Sequence, residues 1–444
     1  MNVYNTLTKS KEPFQSLTPN VVKMYVCGVT VYDLCHIGHA RAYVVFDVIR
    51  RFLEFLGYTV TYVQNFTDVD DKIINRAKER GLAGKALSES MIQAYFDDMD
   101  RLNIVRASHY PKVTEHIPQI ISFIEGLVAK EAAYLADDGI YFSVRKSKNY
   151  GKLSRRDIEE MKAGTRATLS EKKQDPLDFA LWKLDSESDL SWPSPWGQGR
   201  PGWHIECSAM SREYLGETFD MHGGGQDLVF PHHENEIAQS EALTGKPMAK
   251  FWLHNGFVRS HKEKMSKSLG NFFTIRDVLK TVDPMVLRLF FLMTHYRQPI
   301  NYSFEELEDV RTAFERIRHV FTIKDLHPVE AEPVDHFRKI FMEAMEDDFN
   351  TAKAVGTLFD LVRQINVSKS LGLVELLRAL LQVLGLKITL DEAEIPESVA
   401  QLAKERWEAK QAKEWARADS LRKKIQEEGY VMEDAKEGYK VRKC

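Results

Sequence analysis

The opening third of the chain alternates a short strand, a helix and a second strand, and this order limits the fold more than any other feature. Val21–Val26 is a β-branched run that stops at Cys27, as a buried strand does. Apolar residues from Val45 to Leu56 keep helical spacing, and a second strand follows from Tyr58 to Phe66. This order predicts a parallel sheet with a right-handed crossover. Ligands bind at the carboxyl ends of such strands, where Cys27 and the loop to His39 would lie.

Composition excludes several classes of protein. The 444 residues allow two to four domains, and 43% hydrophobic with 28% charged residues is ordinary for a globular chain. No window approaches the roughly 18 consecutive apolar residues of a membrane helix, and the N-terminus lacks the basic flank and apolar core of a secretion signal. Four cysteines, at positions 27, 35, 207 and 444, are too few and too scattered for a disulfide scaffold. We therefore expect a cytoplasmic protein with no membrane contact, and the net charge of −4 leaves nucleic-acid binding open.

Further along, the pattern predicts an insertion and a helical second half. Residues 75–200 interrupt the first domain, with a polar loop from Ser154 to Asp175 and a dense Pro/Gly cluster before the return. Beyond Phe304 the periodicity is helical to about Leu386, and an acidic linker follows. The last segment predicts one long charged helix, Val399–Glu428, and a short strand-like run at Tyr430–Met432.

A first cluster of reactive side chains is the motif Cys35-His36-Ile37-Gly38-His39-Ala40-Arg41. His36 and His39 are three residues apart at a predicted helix start, which places two imidazoles and free backbone N–H groups on one side. Such a helix N-terminus favours phosphate. Gly38 has no Cβ to block the close approach of a base or phosphate. By itself the motif is short, and an ordinary capped helix with two surface histidines fits it equally well.

A second cluster is the Lys- and Ser-rich loop around Lys264-Met265-Ser266-Lys267-Ser268. It is typical of a mobile arm that brings ammonium groups onto a polyphosphate, although a basic loop alone is more often a solvated surface. The HIGH and KMSKS motifs occur in this order about 225 residues apart. Their joint presence makes a chance match improbable.

A dispersed set of ligand-type side chains suggests a metal site. His232 and Glu236 lie four residues apart in Pro231-His232-His233-Glu234-Asn235-Glu236, where proline would open a helix. This spacing suits two ligands of one ion. Cys27 and Cys207 would complete a Zn²⁺ site if the fold brings them together. Buried structural cysteines and a surface His/Glu pair are the alternative, and the pair His233 and Glu236 is equally possible on geometry.

The run His222-Gly223-Gly224-Gly225-Gln226-Asp227 could accommodate a nucleoside. Bare backbone at Gly224 lets a flat purine or ribose lie close, and Asp227 could accept hydrogen bonds from ribose hydroxyls. Standing alone, the run would be a flexible turn.

The chain resembles the cysteinyl-tRNA synthetase family of class I aminoacyl-tRNA synthetases. The matching stretches are MYVCGVTVYDLCHIGHAR (24–41), NFTDVDDKI (65–73), DPLDFALWK (175–183), GWHIECSAM (202–210), DMHGGGQDLVFPHHENEIAQSEA (220–242) and KMSKSLGN (264–271). Weaker similarity continues through the helical region to RADSLRKKI and Glu433-Asp434. Val29 departs from the proline that the family usually has there. Ala435 and Tyr439 replace a threonine and a tryptophan, which weakens the expectation of anticodon contacts there.

The resemblance implies an α/β fold with a Rossmann-type parallel-sheet catalytic domain and three further regions. The catalytic domain would span residues 1–270, with residues 75–200 as the inserted connective subdomain. A stem-contact region with the KMSKS loop at its start would span 271–303, a helical bundle 304–390 and a small anticodon-binding domain 391–444.

The resemblance also implies roles for single residues. The zinc ligands would be Cys27, Cys207, His232 and Glu236. The catalytic residues would be His36, His39, Lys264 and Lys267, which would bind ATP together with Gly38, Gly224 and Asp227. Thr67 and Trp203 would line the amino-acid pocket. The implied cofactors are one Zn²⁺ per chain and Mg²⁺ with ATP, and the implied partners are L-cysteine, ATP and tRNA(Cys), with the chain acting as a monomer.

Two other functions compete with a synthetase. A ligase that joins cysteinyl-adenylate to an amino sugar would share the zinc site and both signature loops but would not need the chain after about residue 390. A catalytically idle RNA-binding relative is the second alternative, and the intact motifs argue against it. Cysteine-dependent ATP–pyrophosphate exchange would distinguish an active enzyme from this idle relative.

Overall fold

Four parallel strands form the central sheet of the computed structural model, in the order β10-β9-β3-β4. These strands are β3 (Val21–Thr30), β4 (Thr59–Thr67), β9 (Phe219–Gly225) and β10 (Ala249–Asn255). The predicted strand–helix–strand unit is confirmed, since β3 pairs with β4 in parallel across α1 (Ile37–Phe55). The first strand is longer than predicted because it continues past Cys27, with a bulge between Val26 and Val29.

The structure describes residues 1–157, 173–260, 263–264, 273–328, 331–390, 396–435 and 438–443. These residues form two compact units, Met1–Lys387 and Ile388–Cys444. Within the described ranges, no helix is both long enough and apolar enough to cross a membrane. The domain boundaries expected from the sequence stay predictions.

The first unit contains further helices and short strands, and its last part is helical. The remaining helices are α2 (Asp71–Arg80), α3 (Gly84–Arg101), α4 (Ile117–Ala129), α5 (Trp203–Leu215), α6 (Glu234–Thr244), α7 (Ile275–Val278), α8 (Pro284–Leu292), α9 (Phe304–Val320), α10 (Ala331–Glu346), α11 (Thr351–Ser368) and α12 (Leu371–Val383). The remaining strands are β1 (Asn2–Asn5), β2 (Ser10–Pro13), β5 (Ala133–Ala136), β6 (Gly139–Phe142), β7 (Phe179–Leu184), β8 (Gly199–Pro201), β11 (Val258–Ser260), β12 (Glu263–Lys264) and β13 (Ile300–Tyr302).

Helix α1 packs an apolar face on the sheet, and its N-terminal end lies at the cavity described below. Val44, Val48, Phe52 and their neighbours at helical spacing are almost fully buried. The side chain of His36 caps the first turn. Gly57 follows the helix in the left-handed region, at φ 91°, which a residue with a Cβ adopts only at a cost.

The expected insertion contains helices and a small antiparallel sheet. Helices α2 to α4 precede the sheet β5-β6-β7-β8, whose neighbouring strands are all antiparallel. Most of the predicted polar loop, residues 158–172, lies outside the described residues. The main chain returns to the first domain at Gly202, directly before α5.

The second unit corrects one prediction. Two helices, α13 (Glu397–Gln411) and α14 (Trp415–Glu427), replace the single helix predicted over Val399–Glu428. Lys413 lies between them in the left-handed region, at φ 63°, so the chain turns without a glycine or proline to mark the break. The strand-like run becomes a hairpin of β14 (Tyr430–Ala435) and β15 (Gly438–Lys443).

Candidate active site

A cavity of about 350 Å³ lies at the carboxyl ends of the parallel strands. Its walls come from the end of β3, the start of α1, the start of α5 and the turns after β9 and β10. The predicted site residues that line it are Cys27, His36, Gly38, His39, Trp203, Gly224 and Asp227. A cavity therefore lies at the edge of the sheet where ligands of parallel sheets are expected to bind.

The two histidines of the HIGH motif are bonded to the helix start itself. The Nδ1 atom of His36 accepts from the N–H groups of Gly38 (3.0 Å) and His39 (3.3 Å). The Nδ1 atom of His39 accepts in turn from the N–H of His36 (3.3 Å), and the two rings stack 3.7 Å apart. The expected free N–H groups at Gly38 and His39 are thus already occupied.

This arrangement leaves the imidazoles as hydrogen-bond donors to a ligand. Burial, and to a lesser extent the neighbouring His36, lowers the pKa of His39 well below its usual value, so His39 is neutral at pH 7. A neutral ring that accepts at Nδ1 carries its proton on Nε2. A Cβ at Gly38 would lie 2.7 Å from Cε1 of His36, so the glycine leaves room for the capping ring. Its predicted role toward a base or phosphate stays a prediction.

The four proposed metal ligands lie close together beside this cavity, which Cys27 also lines. One donor atom from each of Cys27, Cys207, His232 and Glu236 lies within 4.8 Å of the other three. The two Sγ atoms are 3.8 Å apart, and His232 Nε2 is 3.0 Å from Oε1 of Glu236. All four residues are buried.

A second group of four overlaps the first. Cys27 and Glu236 also lie within 4.8 Å of ligand atoms of His222 and His233. His222 Nε2 is 2.8 Å from Oε2 of Glu236, and His233 Nε2 is 3.3 Å from Sγ of Cys27. The geometry therefore offers an ion two overlapping ligand sets that share a thiol and a carboxylate.

The chemistry of this cluster suits a divalent cation. Burial raises the pKa of the Cys27 thiol well above its usual value. His222 and His232 lower the pKa of Glu236 despite the opposing effect of burial. A buried carboxylate is costly without a compensating charge, and thiolate, imidazole and carboxylate are the donors that zinc prefers. The residues present therefore fit the metal that the sequence implied.

The local backbone before α6 differs from the prediction. The helix begins at Glu234, and Pro231 lies in the preceding turn, Val229–His233. His232 nevertheless reaches Glu236. Trp203 stacks on the ring of His232 at 4.3 Å, and the Nδ1 atoms of His204 and His232 are 2.9 Å apart, so ring contacts orient His232.

Thr67 lies beside a buried acid and is not part of the cavity wall. Its Oγ1 donates to Oε2 of Glu206 at 2.8 Å. Burial raises the pKa of Glu206 well above its usual value. Sequence reasoning missed Glu206, His222 and also His254, whose Nε2 lies 2.8 Å from Nδ1 of His233. Glu206 and His222 stood inside quoted motifs, whereas nothing in the sequence pointed to His254.

The second signature segment is only partly described. The backbone of Lys264 belongs to β12, where it pairs with Arg259. Lys267 lies outside the described residues. The roles of Lys264 and Lys267 stay predictions.

Comparison with known proteins places the chain among the synthetases. A family model for the class I (C) tRNA synthetase catalytic domain matches residues 13–312, and a DALR domain model matches residues 340–389. The cysteine–tRNA ligase of Geobacillus thermodenitrificans (strain NG80-2) is 49% identical over 99% of this chain and 98% of its own length. That of Anoxybacillus flavithermus (strain DSM 21510 / WK1) is also 49% identical, over 100% and 99%.

Solved structures agree on the fold. Mycobacterium tuberculosis methionyl-tRNA synthetase in complex with methionyl-adenylate superposes with a TM-score of 0.64, over 82% of this chain and 91% of that one. The two sequences are 14% identical, so the likeness concerns the fold alone.

We predict one tightly bound divalent metal ion per chain. Cys207→Ser should lose the ion because a hydroxyl is a much weaker ligand than a thiolate. Cys35→Ser is the matched control, since Cys35 is also a buried free cysteine but stands outside the cluster. Metal analysis of the purified proteins checks this, and equal metal content in the two variants would contradict it.

Proposed function

The chain belongs to the cysteine–tRNA ligase family of class I aminoacyl-tRNA synthetases, and we propose on that premise how its residues activate and transfer cysteine. The enzyme joins L-cysteine to ATP, giving cysteinyl-adenylate and pyrophosphate. It then transfers the cysteinyl group to the terminal ribose of tRNA(Cys). The observation that carries the assignment of residues is the cavity that Cys27, His36, His39, Trp203 and Asp227 share.

ATP binds in this cavity against the start of α1. His36 and His39 donate from Nε2 to phosphate oxygens, because their Nδ1 atoms are occupied by backbone N–H groups. The adenosine lies near Gly224, and Asp227 accepts from ribose hydroxyls. Lys264 and Lys267, with Mg²⁺ accompanying ATP, neutralise the negative charge on the phosphates.

Adenylate formation needs little acid–base chemistry from the protein. The cysteine carboxylate attacks the α-phosphate, and pyrophosphate leaves with the electrons of the broken bond. The reaction is accelerated by positioning of the two reactants and by stabilisation of the developing charge. This is consistent with a site whose histidine His39 is neutral and whose cations come from a separate lysine segment.

Cysteine is selected by the buried cluster beside the cavity. We propose Cys27, Cys207, His232 and Glu236 as the Zn²⁺ ligands, because this set contains both thiols and its His232 packs on Trp203, which lines the cavity. When bound there, Zn²⁺ supplies a soft ligand position that prefers a thiolate to the hydroxyl of serine. His222 holds the second oxygen of Glu236 by a hydrogen bond, as outer-shell partners of metal ligands do.

Of the two residues expected at the amino-acid pocket, Trp203 lines the cavity and Thr67 lies outside its wall. Trp203 is 41% exposed and lines the cavity, so it is available to pack over bound cysteine. Thr67 is fixed by Glu206, which sets the direction of its hydroxyl. A pocket with a metal that discriminates thiol from alcohol does not need a hydrolytic editing site.

The second unit reads the anticodon. The window from Lys404 to Lys424 has eight basic residues against four acidic ones. The structure reduces the basic groups that are available for RNA, because Arg406 and Lys410 are both paired with Asp434. Trp407 packs in the small core beside Tyr439. Trp415 is 59% exposed and is the residue that we propose to stack on an unpaired base.

The cytoplasm is the proposed location. Cys27, Cys35 and Cys207 are free cysteines, and a reducing compartment keeps them so.

A charging assay tests the function directly. The purified enzyme, incubated with ATP and total tRNA, should attach cysteine and reject serine by a factor of about 10⁴ or more, as expected for a site built around one polar group of the substrate. Comparable attachment of serine would contradict the proposed selection. Cysteine activation without tRNA charging would favour an amino-sugar acceptor instead.

Removal of residues 395–444 should separate the two half-reactions. The catalytic cavity lies in the first unit, so cysteine-dependent ATP–pyrophosphate exchange should stay nearly intact while tRNA charging falls sharply. The matched variant is Trp415→Ala in the full chain, which should weaken charging through the KM for tRNA and leave exchange unchanged. Retained charging after the deletion would contradict a role of this unit in tRNA recognition.

A further inference from the structure

Arg41 is a fully buried arginine that binds main-chain carbonyl groups. It lies on α1, two residues after His39, and its exposed fraction is 0%. Its Nη1 donates to the carbonyls of Gly256 and Phe257, each at 2.9 Å. Its Nη2 donates to those of Gln298, Tyr296 (3.4 Å) and His295 (3.5 Å). No described carboxylate forms an ion pair with it.

These carbonyls belong to two segments that frame the start of the KMSKS region. Gly256 and Phe257 directly precede β11, which pairs with β12 at Arg259 and Lys264 and with β13 at Val258 and Ile300. The two segments are also bonded to each other, since the N–H of Gly256 donates to Tyr296 and the N–H of Ile300 donates to Phe257. Arg41 therefore holds the chain where it enters the second signature segment.

The chain that leaves this segment is bonded to the same helix start. The N–H of Ile37 donates to the carbonyl of Phe273 at 3.2 Å, and the N–H of Ile275 donates to that of Cys35 at 2.9 Å. These bonds pair His36 with Thr274. Residues 35–41 thus hold the described chain on both sides of residues 265–272.

A buried guanidinium without a counter-ion is costly, and the cost suggests a specific role. Burial lowers the pKa of Arg41 to about 10, so the group is still charged at neutral pH. The planar guanidinium places Nη1 against the carbonyls of one segment and Nη2 against those of the other, whereas the ammonium of lysine is a single point with three donors. An apolar side chain of similar size would often stabilise a core as well or better.

We propose that Arg41 is a positioning residue for adenylate formation, which aligns the chain entering the KMSKS segment with the helix that carries His36 and His39. The proposal rests on the proposed function. Loss of this alignment displaces groups that act on the phosphates, and displacements of about 1 Å cost up to about a hundredfold in rate. Arg41 touches no reacting atom in this account, so its effect appears in kcat more than in the KM for cysteine.

The test compares Arg41→Lys with Arg288→Lys in the full chain. Arg288 is the matched control, because it is also fully buried and binds the carbonyls of Leu102 and Leu384, but it pairs with Asp47. Arg41→Lys should lower kcat of cysteine-dependent ATP–pyrophosphate exchange about tenfold or more with the KM for cysteine within about twofold. Amide hydrogen exchange should become faster in residues 256–260 and 295–302. Arg288→Lys should lower the melting temperature and leave kcat within about twofold.

Gly256→Ala provides a second variant that keeps Arg41. A Cβ at Gly256 would lie 2.5 Å from the carbonyl oxygen of Gln298, so it would push the two segments apart and should reproduce the loss of kcat. Unchanged kcat in Arg41→Lys, or an equal loss in Arg288→Lys, would overturn the proposal. A wild-type enzyme without cysteine-dependent exchange would instead overturn the proposed function on which it rests.

Discussion

The site depends on one constraint, which is the burial of a carboxylate among imidazoles and thiols beside the cavity. Cys27 ends the straight part of β3, Cys207 lies on α5, and Glu236 lies on α6. None of these elements adjoins another in sequence, and each brings a polar group into an interior where it needs a partner. A bound cation would offset the cost of this burial, and we propose that it also gives the site its preference for sulfur.

Beside this cluster, the start of the helix with the HIGH motif forms another wall of the cavity. The Nδ1 atoms of His36 and His39 accept from N–H groups at the start of α1, so Nε2 carries the proton in each neutral ring. On the same helix, Arg41 ties together the chain at Gly256 and Gln298. The start of this helix caps itself, and we propose that it also presents donors to phosphate and aligns a distant segment of the chain.

Local signals made much of this predictable, and long-range contacts account for the rest. The alternation of strand and helix from Val21 to Phe66 gave the parallel sheet, because each element has its own apolar periodicity. Spacing singled out Glu236 as a candidate ligand but could not choose between His232 and His233, since both reach it in the folded chain. The helix break at Lys413 has no glycine or proline to announce it. The contacts of Arg41 could not be predicted from the sequence, because its partners are main-chain carbonyl groups and every residue has one.

The central claim is that the metal site reads the sulfur of the substrate, and X-ray absorption spectroscopy at the zinc edge tests it most directly. The metal-loaded enzyme should show two sulfur neighbours, from Cys27 and Cys207. Saturating cysteine should raise the sulfur number to three, and serine should leave it at two. An unchanged spectrum with cysteine, in an enzyme that still forms the adenylate, would contradict the account.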